Sequence, residues 1–347
     1  MIKVRTIAVT APNRSEVMHL STGELTGREV LVKVHAVALC TLEQRIFRGE
    51  VRMPMPCTGG HEVSGQIEML GPEVNRKVWK EGDRVAVRLL YSCGECNQCR
   101  QGHTNLCERS QRKPVRDGLL PGPGGLCDYI IVDSSSLFPI SNELSYSEAA
   151  LTEPLACVVH SVNRADIHLG DDVVVIGGGI MGQLHAKLAA LRGARVILSE
   201  TDAERRRMAL LGGASVVVDP AEGDVVAQVK DLTAGKGAEV VFNTTPVASV
   251  VTQALEMVAK GGKMVQYSSV HPDVPVPFSP QTIHNNDITI LGSISPKVED
   301  FFTANKLLNL RIVDVSPYIE SAFPFERGQE AFEAAVRPGA FRILITD

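Results

Sequence analysis

The stretch Val173-Val174-Val175-Ile176-Gly177-Gly178-Gly179-Ile180-Met181-Gly182, running on into Gln183-Leu184-His185-Ala186, decides how this chain folds. Its first four residues are all β-branched and read as a parallel strand buried on both faces. Gly177, Gly179 and Gly182 then spell G-x-G-x-x-G, and Leu184, Lys187, Leu188 and Leu191 continue as a helix. A second strand, Arg195-Val196-Ile197-Leu198-Ser199, ends at Glu200. That acid stands 18 positions beyond Gly182, near the offset of about 20 found in dinucleotide-binding units. Gly177 permits the tight turn, Gly179 lets backbone N–H groups approach a pyrophosphate, and Gly182 lets helix pack on strand. With Ile180 and Met181 they form a phosphate turn at a helix N-terminus, whose dipole favours anions. Glu200 is placed to accept the ribose hydroxyls, and its charge favours NAD over NADP. Arg205-Arg206-Arg207 argues the other way, and Arg205 is kept as a cofactor-contact candidate. The plainer reading of the three is a solvated helix face behind a Thr201-Asp202 cap.

At 347 residues the chain has room for two domains. A hydrophobic content of 44% with 22% charged residues is that of a folded globular protein. The net charge of −5 leaves no footprint for nucleic acid. Met1-Ile2-Lys3-Val4-Arg5 lacks an apolar signal core, and no uncharged apolar run is long enough to span a bilayer. A soluble, cytoplasmic protein with no membrane or nucleic-acid partner is therefore expected. Eight cysteines in that compartment point to metal or reactive thiols rather than disulfides.

Residues 1–90 read as short strands, among them Val30 to Ala38 and Gly82 to Val87, punctuated by Pro54, Pro56, Gly59, Gly60 and Gly71-Pro72. That punctuation fits a barrel-like fold. Tyr129 to Val132 is a further strand, and residues 145–169 read as helical with a break at Pro154. Past the glycine turn, strands at Ser215 to Val218, Glu239 to Phe242, Gly262 to Tyr267 and Asp287 to Gly292 alternate with helices at Asp224 to Leu232 and Val247 to Val258. Six strands with helices between them make a Rossmann-type, doubly wound parallel sheet, so the class is α/β. A tail with helices at Glu299 to Leu308 and Arg327 to Ala335 and a strand from Phe341 to Ile345 is expected to return to the first domain.

Cys93, Cys96, Cys99 and Cys107 give C-x2-C-x2-C-x7-C. Four thiolates among small and polar residues suit a closed tetrahedral zinc site. The common iron–sulfur run has a proline after its last cysteine, which is missing here, and disulfides clash with the compartment. With four protein ligands no position remains for substrate, so this metal is structural and pins the loop 93–107. Cys57 and Cys127 read as packing residues. Cys40 and His61, taken singly, decide nothing. Glu153 is conspicuous as an acid in an apolar segment, where it needs a partner.

Taken together, Gly60-His61-Glu62 after Cys40, the four-cysteine lobe, Glu153-Pro154-Leu155-Ala156, the glycine turn and the closing helix and strand resemble the zinc-dependent medium-chain dehydrogenases. These are the alcohol, sorbitol and threonine dehydrogenase superfamily, and the likeness runs nearly the whole length. The resemblance implies a GroES-like catalytic domain of residues 1–153 and 296–347 and an NAD-binding domain of residues 154–295. It also implies a catalytic zinc besides the structural one, and a homodimer or homotetramer. Cys40 and His61 would be zinc ligands. Glu153 would stand where alcohol dehydrogenases have a second cysteine and sorbitol dehydrogenases a glutamate. Glu62 would be a ligand or stand behind the metal, because adjacent strand residues point to opposite faces and His61 and Glu62 need a local irregularity to share a site. Glu43 matches an aspartate that orients the histidine, and Cys157 a residue that packs near the nicotinamide. The reaction implied is alcohol oxidation, with the metal acidifying a hydroxyl and the dinucleotide taking hydride.

One departure matters. Relatives carry a hydroxyl two residues after the cysteine and a histidine five after it, forming a proton relay. Here Leu42 and Arg45 hold those places in Cys40-Thr41-Leu42-Glu43-Gln44-Arg45. Leucine passes no proton and arginine stays charged. Thr41 substitutes if the loop is shifted, or protons leave through water and Glu153. Arg45 either binds an anion of cofactor or substrate or is a surface residue in a salt bridge. Three functions follow: an NAD- and zinc-dependent dehydrogenase of a neutral polyol or sugar-like secondary alcohol; the same chemistry on an acidic or phosphorylated hydroxy compound held by Arg45; or a non-catalytic NAD-binding module.

Overall fold

The computed structural model describes residues 1–110 and 115–347, which divide into two compact units, Met1–Ala156 with Lys297–Asp347, and Cys157–Pro296. In the second unit the strand Asp172–Ile176 is the centre of a six-stranded parallel sheet, as its run of branched residues predicts. The order across it is Val216–Val218, Arg195–Ser199, Asp172–Ile176, Ala238–Asn243, Val258–Gln266, Thr289–Gly292. This is the doubly wound order that changes direction beside the first strand, where dinucleotides bind. Val174, Ile197, Val241 and Met264 supply its core. Asp287, expected as the start of the last strand, instead closes the short helix Pro280–Asn286 with a φ of 52°. The strand therefore begins two residues later, at Thr289.

The first unit is built on a seven-stranded sheet. Ile319–Pro324, Arg342–Thr346, Glu29–Leu39, Glu62–Leu70, Arg84–Arg88 and Leu137–Pro139 follow in order, with Tyr129–Asp133 also paired to Glu29–Leu39. The C-terminal strand thus inserts beside Glu29–Leu39, with Leu344 opposite Ala38 and Ala38 opposite Glu62. A hairpin of Ile2–Ala11 and Arg14–Thr22, which sequence did not resolve into strands, is bridged to this unit at Thr6–Cys127 and Val9–Cys57. Cys57 and Cys127 are buried there as packing residues. The core gathers Leu39, Ile46, Val63, Leu126 and the stacked pair Phe47–Phe332, whose ring centroids are 4.8 Å apart.

The helical segment after residue 145 breaks at Leu151 rather than at Pro154. Tyr146–Ala150 starts on a Ser145–Glu148 capping box, and the next helix, Thr152–Ala165, begins just past Leu151. Pro154 then falls in the first turn, where its missing N–H has no helical acceptor to lose.

Candidate functional site

Cys40 follows the strand Glu29–Leu39 and starts the helix Thr41–Phe47, its Sγ accepting the Leu42 N–H at 3.2 Å. Glu43 completes the cap by accepting the Cys40 N–H at 3.2 Å through Oε2. Its Oε1 accepts the Gly60 N–H at 2.9 Å and faces His61 Nδ1 at 3.0 Å. Gly60 has φ +86°, and a Cβ there would lie 2.6 Å from the Leu126 nitrogen, so only glycine fits. The turn it makes leaves His61 just outside the strand Glu62–Leu70, free of strand alternation. This is the irregularity needed for neighbours to share a site. The donor atoms of Cys40, His61 and Glu62 all lie within 4.8 Å of one another.

The donor set fits zinc. Zn–S and Zn–N bonds of about 2.3 and 2.0–2.1 Å at a tetrahedral angle require an S···N edge of about 3.6 Å, and Cys40 Sγ stands 3.5 Å from His61 Nε2. When His61 is neutral and donates its Nδ1–H to Glu43, Nε2 carries the lone pair turned toward Cys40, the tautomer a ligand needs. Burial pushes the Glu43 carboxyl up, but His61 and the Cys40 and Gly60 N–H groups overcome this and bring it down to about 2. Burial lowers His61, and Glu43 with Cys40 raises it to a net value well above the usual imidazole range. Burial and Glu43 push the Cys40 thiol up to about 11. A cation at this point would reverse that last shift, since a coordinating thiol loses its proton outright.

Glu62 is 1% exposed and takes both hydrogen bonds of a bidentate pair with Arg342, from Nη2 to Oε1 at 2.6 Å and from Nε to Oε2 at 3.0 Å. Burial pushes its carboxyl up, Arg342 pulls it down, and Glu153 adds a second upward push. Glu62 thus faces the donor pair while its oxygens are shared with a cation behind it. Glu153, 5% exposed at the start of Thr152–Ala165, lies outside the set of converging donors. Neither Arg342 nor the similarly buried Arg88 was singled out from sequence, although each adjoins an apolar strand run, in Phe341-Arg342-Ile343-Leu344 and Val85-Ala86-Val87-Arg88.

The relay positions are as unlike a relay as the residues suggest. Leu42 packs against the hydrophobic core, and Thr41 is exposed at the helix start. Arg45 is half-buried, with its nearest carboxylate, Glu50, at 3.9 Å and its Nε buried without a hydrogen-bond partner.

Cys93, Cys96, Cys99 and Cys107 converge as a second donor group, all free thiols. Cys93 and Cys99 sulfurs are 4.0 Å apart, near the S···S edge of about 3.8 Å in a tetrahedral Zn–S₄ site. Backbone N–H groups of Cys96, Cys99 and Arg109 point at these sulfurs at 3.3–3.5 Å, which stabilises thiolates.

In the second unit Gly177 has φ +99°, and a Cβ on Gly182 would lie 1.8 Å from the Gly177 carbonyl oxygen. Gly179, which starts the helix Ile180–Leu191, has open space where its Cβ would be. That is the room a phosphate needs. Ile180 is buried, and the Met181 carbonyl accepts from the core histidine His185. Glu200 Oε2 accepts the Gly178 N–H at 2.6 Å and Oε1 the Asp202 N–H at 2.9 Å. Arg205 Nη1 stands 4.0 Å from Glu200, Arg206 pairs with Asp219 and Arg207 with Glu204. Cys157 is half-buried on its helix.

The alcohol dehydrogenase GroES-like domain family matches residues 26–142, and the zinc-binding dehydrogenase family matches residues 181–309. The chain is 30% identical to the D-arabitol-phosphate dehydrogenase of Enterococcus avium over 94% of its own length and 92% of that protein. It is 31% identical to the sorbitol dehydrogenase of Halalkalibacterium halodurans, over 92% and 91%. Among solved structures it superposes on a zinc-binding dehydrogenase of Sinorhizobium meliloti 1021 bound to NADP, with a TM-score of 0.90 and 28% identity over 100% of both chains.

Proposed function

Because the chain belongs to the zinc-dependent medium-chain dehydrogenases, enzymes that use zinc and NAD(P), we propose that it oxidises the secondary hydroxyl of a polyol or sugar-like compound with NAD as hydride acceptor. The observation that carries this is the converging Cys40, His61 and Glu62 donor set, with Glu43 fixing the histidine from behind. A zinc ion in it supplies Lewis acidity toward the substrate hydroxyl, and the dinucleotide supplies the ring that accepts hydride. Cys40 and His61 hold the metal, and Glu62, balanced by Arg342, completes the set. Leu42 passes no proton, so Glu153 takes the proton that the hydroxyl gives up and passes it to solvent. The Cys93, Cys96, Cys99 and Cys107 lobe holds a structural zinc. Glu200, beside the glycine turn, supports NAD over NADP through repulsion of a 2′-phosphate. In steady-state assays kcat/KM with NAD should exceed that with NADP, and Glu200→Gln should narrow the ratio.

A second reading concerns the substrate's charge. The buried Nε of Arg45, which makes no hydrogen bond and has Glu50 at 3.9 Å, and a relative named for a phosphorylated polyol favour an acidic or phosphorylated substrate held by this guanidinium. Turnover across neutral polyols and their phosphates or acids decides between the two, and Arg45→Gln should raise KM for the anions alone if the second holds. For assembly, the exposed edge strand Thr289–Gly292, with Ile290 43% exposed, supports a homodimer by strand pairing across a two-fold axis, or a homotetramer built from it. Among the described residues no helix is long and apolar enough to cross a membrane. Eight free thiols support a reducing, cytoplasmic setting.

A further inference from the structure

We infer that Gln183 is a positioning residue for dinucleotide binding, turning the Gly179 N–H outward to meet the pyrophosphate. The inference rests on the assignment of the glycine turn to the dinucleotide. Gln183 lies in the first turn of Ile180–Leu191 and is 1% exposed. Its Nε2 donates twice, to the Gly178 carbonyl at 3.1 Å and to the Arg205 carbonyl at 2.8 Å. The reverse orientation of the amide would set its oxygen against two carbonyl oxygens, so the partners decide which atom is nitrogen. Oε1 is buried with no hydrogen-bond partner. A buried amide with its oxygen unbonded costs stability that an apolar side chain would avoid. What this amide supplies in return is the pair of donors.

Those donors complete a set of contacts that fixes the turn peptide by peptide. The Gly177 N–H donates to the Ser199 carbonyl at 2.8 Å. The Gly177 carbonyl oxygen points inward, 3.3 Å from the Thr244 hydroxyl and against the Cα of Gly182. Across the same peptide the Gly178 N–H donates to Glu200. The Gly178 carbonyl accepts from the Gln183 side chain, and the Gly179 carbonyl accepts from the Gln183 backbone N–H at 2.9 Å. One residue thus holds two successive carbonyls of the turn, and through Arg205 it ties the turn to the first turn of Ala203–Gly212.

The consequence lies on the other side of the peptide. A trans peptide carries its C=O and N–H in opposite directions. With the Gly178 carbonyl drawn toward the buried Gln183, the Gly179 N–H faces away from it, and Gly179 has open space beside it. That N–H, with those of Ile180 and Met181, has no acceptor within the helix and is available to an anion at the helix end. Both residues of the Gly178–Gly179 peptide lack a Cβ, so sterics restrain its rotation weakly. The Gln183 amide supplies the restraint.

Gln183→Met matches the length of the side chain and removes both donors. The Kd of ADP-ribose, which carries the pyrophosphate, should rise about tenfold or more in titration calorimetry, the scale of a hydrogen bond to a charged group. The Kd of adenosine, whose ribose meets Glu200 without any phosphate, should stay within about twofold by ligand-observed NMR. An unchanged Kd for ADP-ribose overturns the inference. Equal losses for the two ligands also overturn it, because they mark a general loosening rather than a misplaced N–H. A measurement on the wild type survives poor folding of the variant. Residue-resolved amide exchange by NMR should find Gly178 protected in the free protein and Gly179 protected only with ADP-ribose bound. Protection of Gly179 in the free protein, or none gained with ADP-ribose, refutes the proposal. The dinucleotide assignment itself fails on a different result, wild-type protein that binds neither ADP-ribose nor NAD.

Discussion

Replacing Arg342 by Met keeps the unbranched apolar stem but removes the guanidinium from which both Glu62 oxygens accept. Glu62 is 1% exposed and Arg342 8%, so water cannot take over the lost bonds. Breaking a buried pair from one side costs about 3–5 kcal/mol, because the surviving charge stays buried and uncompensated. With a urea m-value of about 3 kcal/mol/M, at the upper end for small proteins, the midpoint should fall by about 1–2 M. Two units make a single whole-chain transition unsafe to assume, but the chain has one tryptophan, Trp79, packed against the core of the first unit. Its fluorescence reports that unit alone. Adding Glu62→Gln to Arg342→Met removes the stranded charge and should recover at least about half of the loss. A single variant as stable as wild type, or a double variant no better than the single, would refute the assignment of this pair as a mutually dependent buried ion pair.

Glu43→Gln should weaken retention of the non-lobe metal about 10–100-fold, measured by chelator competition, since the amide cannot serve all three groups that the carboxylate serves. Glu43 also sets a pH dependence. Its carboxyl is held down at about 2, below the ordinary carboxylate value of about 4.5, so its contribution to stability is complete above about 4.5 and is lost as pH falls toward about 2. In metal-stripped protein Glu43→Gln should flatten that acid limb of the Trp79 unfolding curve, and an unaltered limb would count against the assignment. Gly182→Ala places a Cβ 1.8 Å from the Gly177 oxygen and should weaken dinucleotide binding at least about tenfold in titration calorimetry, because helix and turn must separate. Cys107→Ser should lose one zinc per chain and open the loop 93–107 to protease, with intact resistance arguing against a metal-pinned loop.

How much could be read in advance follows from distance along the chain. The glycine turn and the four-cysteine lobe are legible because each is a local spacing rule, complete within about twenty residues. Cys40 and His61 are 21 residues apart, and only a resemblance joined them in advance. The turn at Gly60 that lets His61 and Glu62 face one point is a backbone conformation, visible in sequence only as a glycine. Arg342 and Glu62, 280 residues apart, meet because the last strand inserts beside Glu29–Leu39. No periodicity announces that register, yet a charge inside an apolar strand was a sign that a partner had to exist. Pro154 misled for the opposite reason: a helix breaker in general, it is harmless in a first turn, so the break moved to Leu151.

The proposed function turns on a substrate-facing zinc held by Cys40 and His61. Metal analysis of the purified chain and of Cys40→Ser, with NAD-linked polyol turnover measured on the same samples, tests it most directly. Two zinc ions per wild-type chain are predicted, with one remaining in Cys40→Ser and turnover lost with the other. A single ion in the wild type, or turnover that survives loss of the Cys40 ion, would contradict it.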